Sequence, residues 1–181
     1  MLRLALGLSF LLAAGQAFAQ APVSGPTTAT TPALKVFDTT GPNTGNEVDY
    51  TADRKGKPTV YLFVAADKWD RPVARFLKTL DSEVAKEIDD GYLVAVWLTA
   101  DVDKTKEYLP RAQQSLNLQR TALTCYLGDK GGPQEWSLDP DAHLTAVVSH
   151  EGKVVKNFAY RSVNETDVSA VFEALKKAVK K

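Results

Sequence analysis

Apolar residues recur along this chain with two periods, and their order predicts the elements. Thr59 to Val64, TVYLFV, is a near-continuous apolar run, the pattern of a strand buried on both faces. Tyr92 to Leu98, YLVAVWL, repeats it, and Thr121 to Leu127, TALTCYL, reads as a third strand. Between the first two runs, Val73, Phe76, Leu77, Leu80, Val84 and Ile88 fall three or four residues apart, which predicts a helix from Arg71 with one buried face. Asp70 is placed to cap it, and Pro72 sits in its first turn, where a missing N–H costs little. Gly91 ends the unit. Asp101 or Asp103 can cap a further helix running to about Leu116, which Pro110 is expected to kink or split.

Shorter signals flank this centre. ALKVFDTTG and GNEVDYTA read as two short strands around a turn rich in Gly, Asn and Thr, followed by the loop RKGKP. After the loop GDKGGPQEWSLDPDA, HLTAVVS and KVVKNFAY flank His150-Glu151-Gly152 as a hairpin. Val168, Val171, Phe172, Leu175 and Val179 then restore the helical period, with Asn164 or Thr166 opening the helix. The order predicts an α/β fold: a mixed sheet with helices on both faces, parallel strands in the first half and an antiparallel hairpin in the second.

The first residues break the pattern. Arg3, the apolar run Leu4 to Ala14 and Ala17-Phe18-Ala19 together read as a secretory signal peptide, 1–19. The run is too short to span a bilayer stably, and no later stretch reaches the roughly 18 apolar residues a spanning helix needs. The mature chain is therefore expected to be exported, periplasmic or extracellular. Residues 20–33, QAPVSGPTTATTPA, hold three prolines, no charge and no aromatic residue, and are expected to form a flexible or partly extended tether. One globular domain, 34–181, remains.

Composition narrows the chemistry. Lys and Arg total 22, as do Asp and Glu, so no basic surplus draws the chain to nucleic acid or acidic membranes. There is one cysteine, Cys125, which excludes an intramolecular disulfide and a two-cysteine redox centre within one chain.

From Leu34 onward the stretches FDTTGPNTGNEVDYTADRKGKPTVYLFVAA and LTAVVSHEGKVVKNFAY, in this order, resemble the redoxin branch of the thioredoxin-like superfamily, which includes thiol peroxidases and exported thioredoxin-like proteins. The resemblance implies a thioredoxin-like three-layer sandwich with an N-terminal β-hairpin. Aligned on Phe63, the family's Cys-x-x-Cys falls on Lys68 to Arg71, KWDR, and its cis-proline on His143, with Pro140 three residues early. Dithiol chemistry needs a thiolate at a helix N-terminus and a second thiol one turn on. Lys68 and Arg71 supply no sulfur, so the resemblance implies the fold without its usual reaction.

The candidate sites follow. Cys125 alternates with Leu123 and Leu127, which points it toward the core as a small hydrophobe; a reactive thiol is the alternative. Lys68, Trp69, Asp70 and Arg71, with His143 facing them, form the candidate binding surface, since Trp and Arg are common binding anchors. Against this, Trp69 can simply pack over the sheet edge while Asp70 caps the helix. His143 and His150 are the only histidines, and Asp139-x-Asp141-x-His143 is a weak metal pattern better read as solvated loop. Gly128 to Pro133 reads as a turn, and the sequon Asn164-Glu165-Thr166 as a helix start. The leading reading is a redox-inactive binding or accessory module with no cofactor and no metal, whose partner is another exported protein. The alternatives are a single-cysteine oxidoreductase or peroxidase using Cys125, and a structural envelope component.

Overall fold

The structure, a computed structural model, describes residues 23–180, so the expected signal peptide lies outside the described residues. The three apolar runs form neighbouring strands β3 (Thr59–Ala65), β4 (Tyr92–Leu98) and β5 (Thr121–Cys125). Helices α2 (Arg71–Glu87) and α3 (Val102–Leu116) carry the chain back between them, so all three strands run parallel. The hairpin β6 (Leu144–His150) and β7 (Lys153–Tyr160) pairs antiparallel on β3, and β1 (Lys35–Asp38) with β2 (Glu47–Asp49) pairs antiparallel on β5. The sheet has seven strands in the order β2-β1-β5-β4-β3-β6-β7. A short helix α1 (Tyr50–Arg54) follows β2, and α4 (Val168–Val179) closes the chain.

β3 shows why a continuous apolar run was needed. Val60, Leu62 and Val64 face one core with Phe76 and Leu80 of α2, Leu109 of α3 and Leu175 of α4. Tyr61 and Phe63 alternate with them and face a second core with Leu34, Tyr50 and Trp136. The fold is the expected mixed-sheet α/β sandwich, with its helices shared unequally: the three long ones cover one face, while α1 and the 3-10 turn Gln134–Trp136 reach the other. Trp136 is fully buried there, with its ring centroid 4.8 Å from Phe63 and 5.1 Å from Tyr61, and its indole N–H donates to the Ala33 carbonyl at 3.0 Å.

One expectation is narrowed and one corrected. Of the kink or split expected at Pro110, the split does not occur: α3 is continuous from Val102 to Leu116. The proline lies on the exposed side, where solvent can replace the main-chain hydrogen bond it removes, and Leu109 and Ala112 beside it stay buried. The described part of the expected tether, 23–33, is docked rather than loose. Ser24 Oγ bonds Thr145 Oγ1 and Thr31 Oγ1 bonds Ser149 Oγ, both at 2.7 Å. Val154 N–H donates to Ala29 O at 2.8 Å and Thr31 N–H to Gly152 O at 2.9 Å. The segment is held by hydroxyl and main-chain hydrogen bonds to the hairpin, which an apolar count does not register.

Candidate functional site

The KWDR loop hangs between the end of β3 and the start of α2. After Ala65 the chain makes a 3-10 turn, Ala66–Lys68, and Trp69 and Asp70 lead into the helix. Asp70 is extended and its Oδ1 accepts from Val73 N–H at 3.0 Å, with Pro72 in the first turn, so the helix starts as its cap residues dictate. Lys68 pairs with Asp67 at 3.5 Å in solvent. Arg71 is exposed, and among the described residues no carboxylate lies within ion-pair distance of it.

Trp69 packs over the sheet edge and keeps part of its ring at the surface. It is half-buried, its ring lies edge-on to Trp97 of β4 with centroids 4.8 Å apart, and its indole N–H donates to the Tyr108 hydroxyl of α3 at 2.7 Å. The Trp69–Tyr108 pair stands as a wall between two surface clefts. One, about 310 Å³, is lined by Trp97, Asp67, Asp101 and Lys104 besides the pair; Asp101 there caps α3, accepting from Lys104 N–H at 3.1 Å. The other, about 410 Å³, runs between α2 and α3 past Arg71, Ala74, Arg111 and Leu116.

His143 meets the loop through its backbone. Its carbonyl accepts from Ala65 N–H at 3.2 Å and its N–H donates to Tyr160 O at 2.8 Å, which fixes the base of the loop against the hairpin. Its side chain lines neither of the two clefts. No peptide bond among the described residues is cis. The nearby acidic loop is taken up in its own turn: Asp139 Oδ1 accepts from Asp141 N–H at 2.9 Å, and Asp141 pairs with Arg161 at 3.6 Å. Among the described residues no group of three or more His, Cys, Asp or Glu side chains could hold a metal ion.

Cys125 lies elsewhere. It ends β5, in register with Trp97 on one side and Phe37 on the other, and is fully buried. Burial pushes its thiol up to about 11, an effect that Lys106 only partly offsets. Its Sγ–H donates weakly to the Tyr126 carbonyl at 3.6 Å. Leu127, which the alternation places in the same core, lies past the strand end and is 40% exposed.

Sequence reasoning located the loop and missed its partners. Tyr108 and Arg111 come from α3, and Trp97 from β4. The available signal was a second stripe on α3: Lys104, Tyr108, Arg111 and Ser115 are spaced by four, three and four, beside the buried stripe Thr105, Leu109 and Ala112. An aromatic residue within that polar stripe marks the face that meets the loop.

Among the described residues no helix is long and apolar enough to cross a membrane. No protein-family model matches the sequence, and no curated protein matches it. Solved structures do match in shape. A thiol peroxidase from Chromobacterium violaceum aligns at a TM-score of 0.61 with 15% identity, covering 88% of this chain and 93% of its own. The exposed lipoprotein thioredoxin of Streptococcus pneumoniae strain TIGR4 aligns at 0.58 with 16% identity, covering 81% and 99%. A SCO1/SenC family lipoprotein from Bacillus anthracis str. Ames aligns at 0.59 with 16% identity, covering 85% and 97%. With this sheet order, this helix placement and one cysteine in the whole chain, the protein has a thioredoxin-like fold that carries no Cys-x-x-Cys pair.

Proposed function

We propose that the chain is an exported thioredoxin-fold protein that performs no dithiol chemistry and serves as a binding or accessory module through Lys68, Trp69, Asp70 and Arg71, with His143 supporting the loop. The observation that carries this reading is a separation. The loop at the α2 N-terminus holds an anchored tryptophan and an exposed arginine, while the only thiol is buried in β5 with its ionisation suppressed. A nucleophilic thiolate needs access and a lowered pKa, and Cys125 has neither. The expected signal peptide, together with the matched lipoproteins, supports export, and the partner is then another exported protein.

The decisive experiment compares thiol labelling with turnover. A soluble disulfide reagent is expected to label Cys125 only after unfolding, and peroxide consumption and insulin reduction are expected to match the protein-free background. Turnover that disappears in Cys125→Ser overturns the module reading and establishes a single-cysteine oxidoreductase.

A further inference from the structure

The groove between α2 and α3 carries an unbalanced charge. Arg71 and Arg111 line it from the two helices, and Trp69, Tyr108, Ala74 and Leu116 supply its apolar surface. Both arginines are exposed, and among the described residues neither has a carboxylate within ion-pair distance. Asp70 also borders the groove and caps α2; its charge offsets one arginine and leaves the lining net positive. Arg71 is the first residue of α2, where the helix dipole already presents positive charge, and no acidic residue stands in that first turn. A cation held there is disfavoured on its own. An incoming carboxylate relieves it and gains hydrogen bonds from the guanidinium groups.

We propose that this groove binds a peptide segment of a partner protein that carries a carboxylate side chain beside an apolar one. The carboxylate lies between Arg71 and Arg111, and the apolar side chain rests against Trp69, Tyr108 and Leu116. The inference rests on the binding role proposed above and names the chemistry of the partner. Five of the lining side chains, Asp70, Arg71, Tyr108, Arg111 and Ser115, are exposed, so the site is a surface furrow rather than an enclosed cavity. A small free carboxylate leaves most of its surface in water there, whereas a peptide extends along both helices and buries more. The adjoining cleft selects against the same ligand, since Asp67 and Asp101 outnumber Lys104 in it and repel a carboxylate.

The test titrates the isotope-labelled full chain at low salt with a blocked pentapeptide, LDFEL, and with its neutral counterpart LNFQL, following backbone and arginine side-chain resonances. LDFEL is expected to shift Arg71, Ala74, Arg111 and Leu116, and LNFQL to leave them in place. Affinity for LDFEL is expected to fall about threefold in Arg71→Gln and again in Arg111→Gln, as for exposed ion pairs, and to fall as salt is added. Both side chains are exposed, and thermal unfolding of each variant separates a folding defect from a binding one. Equal binding of the two peptides, shifts confined to the Trp97 cleft, or unchanged affinity in the double variant overturns the proposal. No binding of LDFEL, in a chain without Cys125-dependent turnover, overturns the groove assignment and leaves the module reading standing; Cys125-dependent turnover overturns that reading itself.

Discussion

The indole N–H of Trp69 donates to the hydroxyl of Tyr108 across 2.7 Å and thirty-nine positions of sequence, joining the loop before α2 to the exposed face of α3. Since the same indole rests on buried Trp97, the loop has a fixed position relative to the core. Tyr108→Phe removes the hydrogen bond and keeps both rings, whereas Trp69→Phe also gives up indole surface packed on Trp97. Tyr108→Phe is expected to lower stability by about 0.5 kcal/mol, as for an exposed hydrogen bond, Trp69→Phe by more, and the double variant by little more than Trp69→Phe alone. Urea unfolding of the four proteins checks this. Fully additive losses would mean that the two side chains do not interact in solution.

Cys125 gives the chain an alkaline instability of known sign. A buried thiol pushed up to about 11 keeps its proton in the folded state where the unfolded chain, near its ordinary value of 9.0, has lost it. Between those values the folded state binds more protons, so stability falls as pH rises, by at most about 1.4 kcal/mol per pH unit. Tyr61, Tyr92 and Tyr160, which burial pushes up to about 12, add the same trend only above their ordinary value of 10.0. Unfolding measured from pH 8.5 to 10 is therefore expected to show a downward slope in the parent chain that Cys125→Ala lacks. A slope of equal size in both proteins would place its origin elsewhere.

Asp81 joins helix to sheet in a way that periodicity cannot show. It sits within α2 and is 3% exposed. Its carboxylate accepts from the N–H groups of Gln119 and Arg120, at 2.9 and 2.8 Å, and from the Thr121 hydroxyl at 2.6 Å. Those groups open β5, so the residue sets where the strand begins. Asp81→Ala leaves three donors without their acceptor and is expected to destabilise by about 3 kcal/mol. Thr121→Val removes one donor together with its demand and is expected to be milder, and chemical denaturation of the two ranks them.

The N-terminal strap predicts a protease pattern. Residues held to β6 and β7 through Ser24, Ala29 and Thr31 are expected to resist cleavage until the hairpin itself opens. Ser24→Ala and Thr31→Ala each strip a partner from a buried hydroxyl, Thr145 or Ser149, and are expected to destabilise by about 1 kcal/mol apiece. Rapid cleavage between Ser24 and Thr31 in the native chain, with no change in global stability, would show that the strap detaches on its own.

Much of this architecture was legible because β3 and β4 must be apolar on both faces and α2 on one, and a period survives in the order of residues. What escaped has no period. Helix α1 is five residues long, and Trp136 lies in a polar loop yet fills the second core from a single 3-10 turn. The strap is docked by hydroxyls that composition classes as solvated. The loop itself was found through its place after β3, but Tyr108 and Arg111 reach it from another helix, so only the fold brings them together.

Asp38 offers the sharpest test of how far one polar side chain shapes the second face. It is fully buried, and four donors converge on its carboxylate: the N–H groups of Thr40, Gly41 and Asn43, at 3.1, 2.6 and 2.8 Å, and the Tyr50 hydroxyl at 2.7 Å. Burial and this carboxylate together raise the Tyr50 phenol far above its ordinary range, so it stays a donor. Gly41 is required in the same turn, because a Cβ there would stand 2.3 Å from the Tyr50 hydroxyl and 2.7 Å from Ala122 Cβ. Asp38→Asn turns one acceptor oxygen into an NH₂ aimed at donors and is expected to destabilise by about 3 kcal/mol. Tyr50→Phe leaves the carboxylate three partners and is expected to lose only about 1 kcal/mol. If Asp38→Asn and Tyr50→Phe prove equally mild in urea unfolding, the main-chain donors have found water, and the turn between β1 and β2 is held by packing instead.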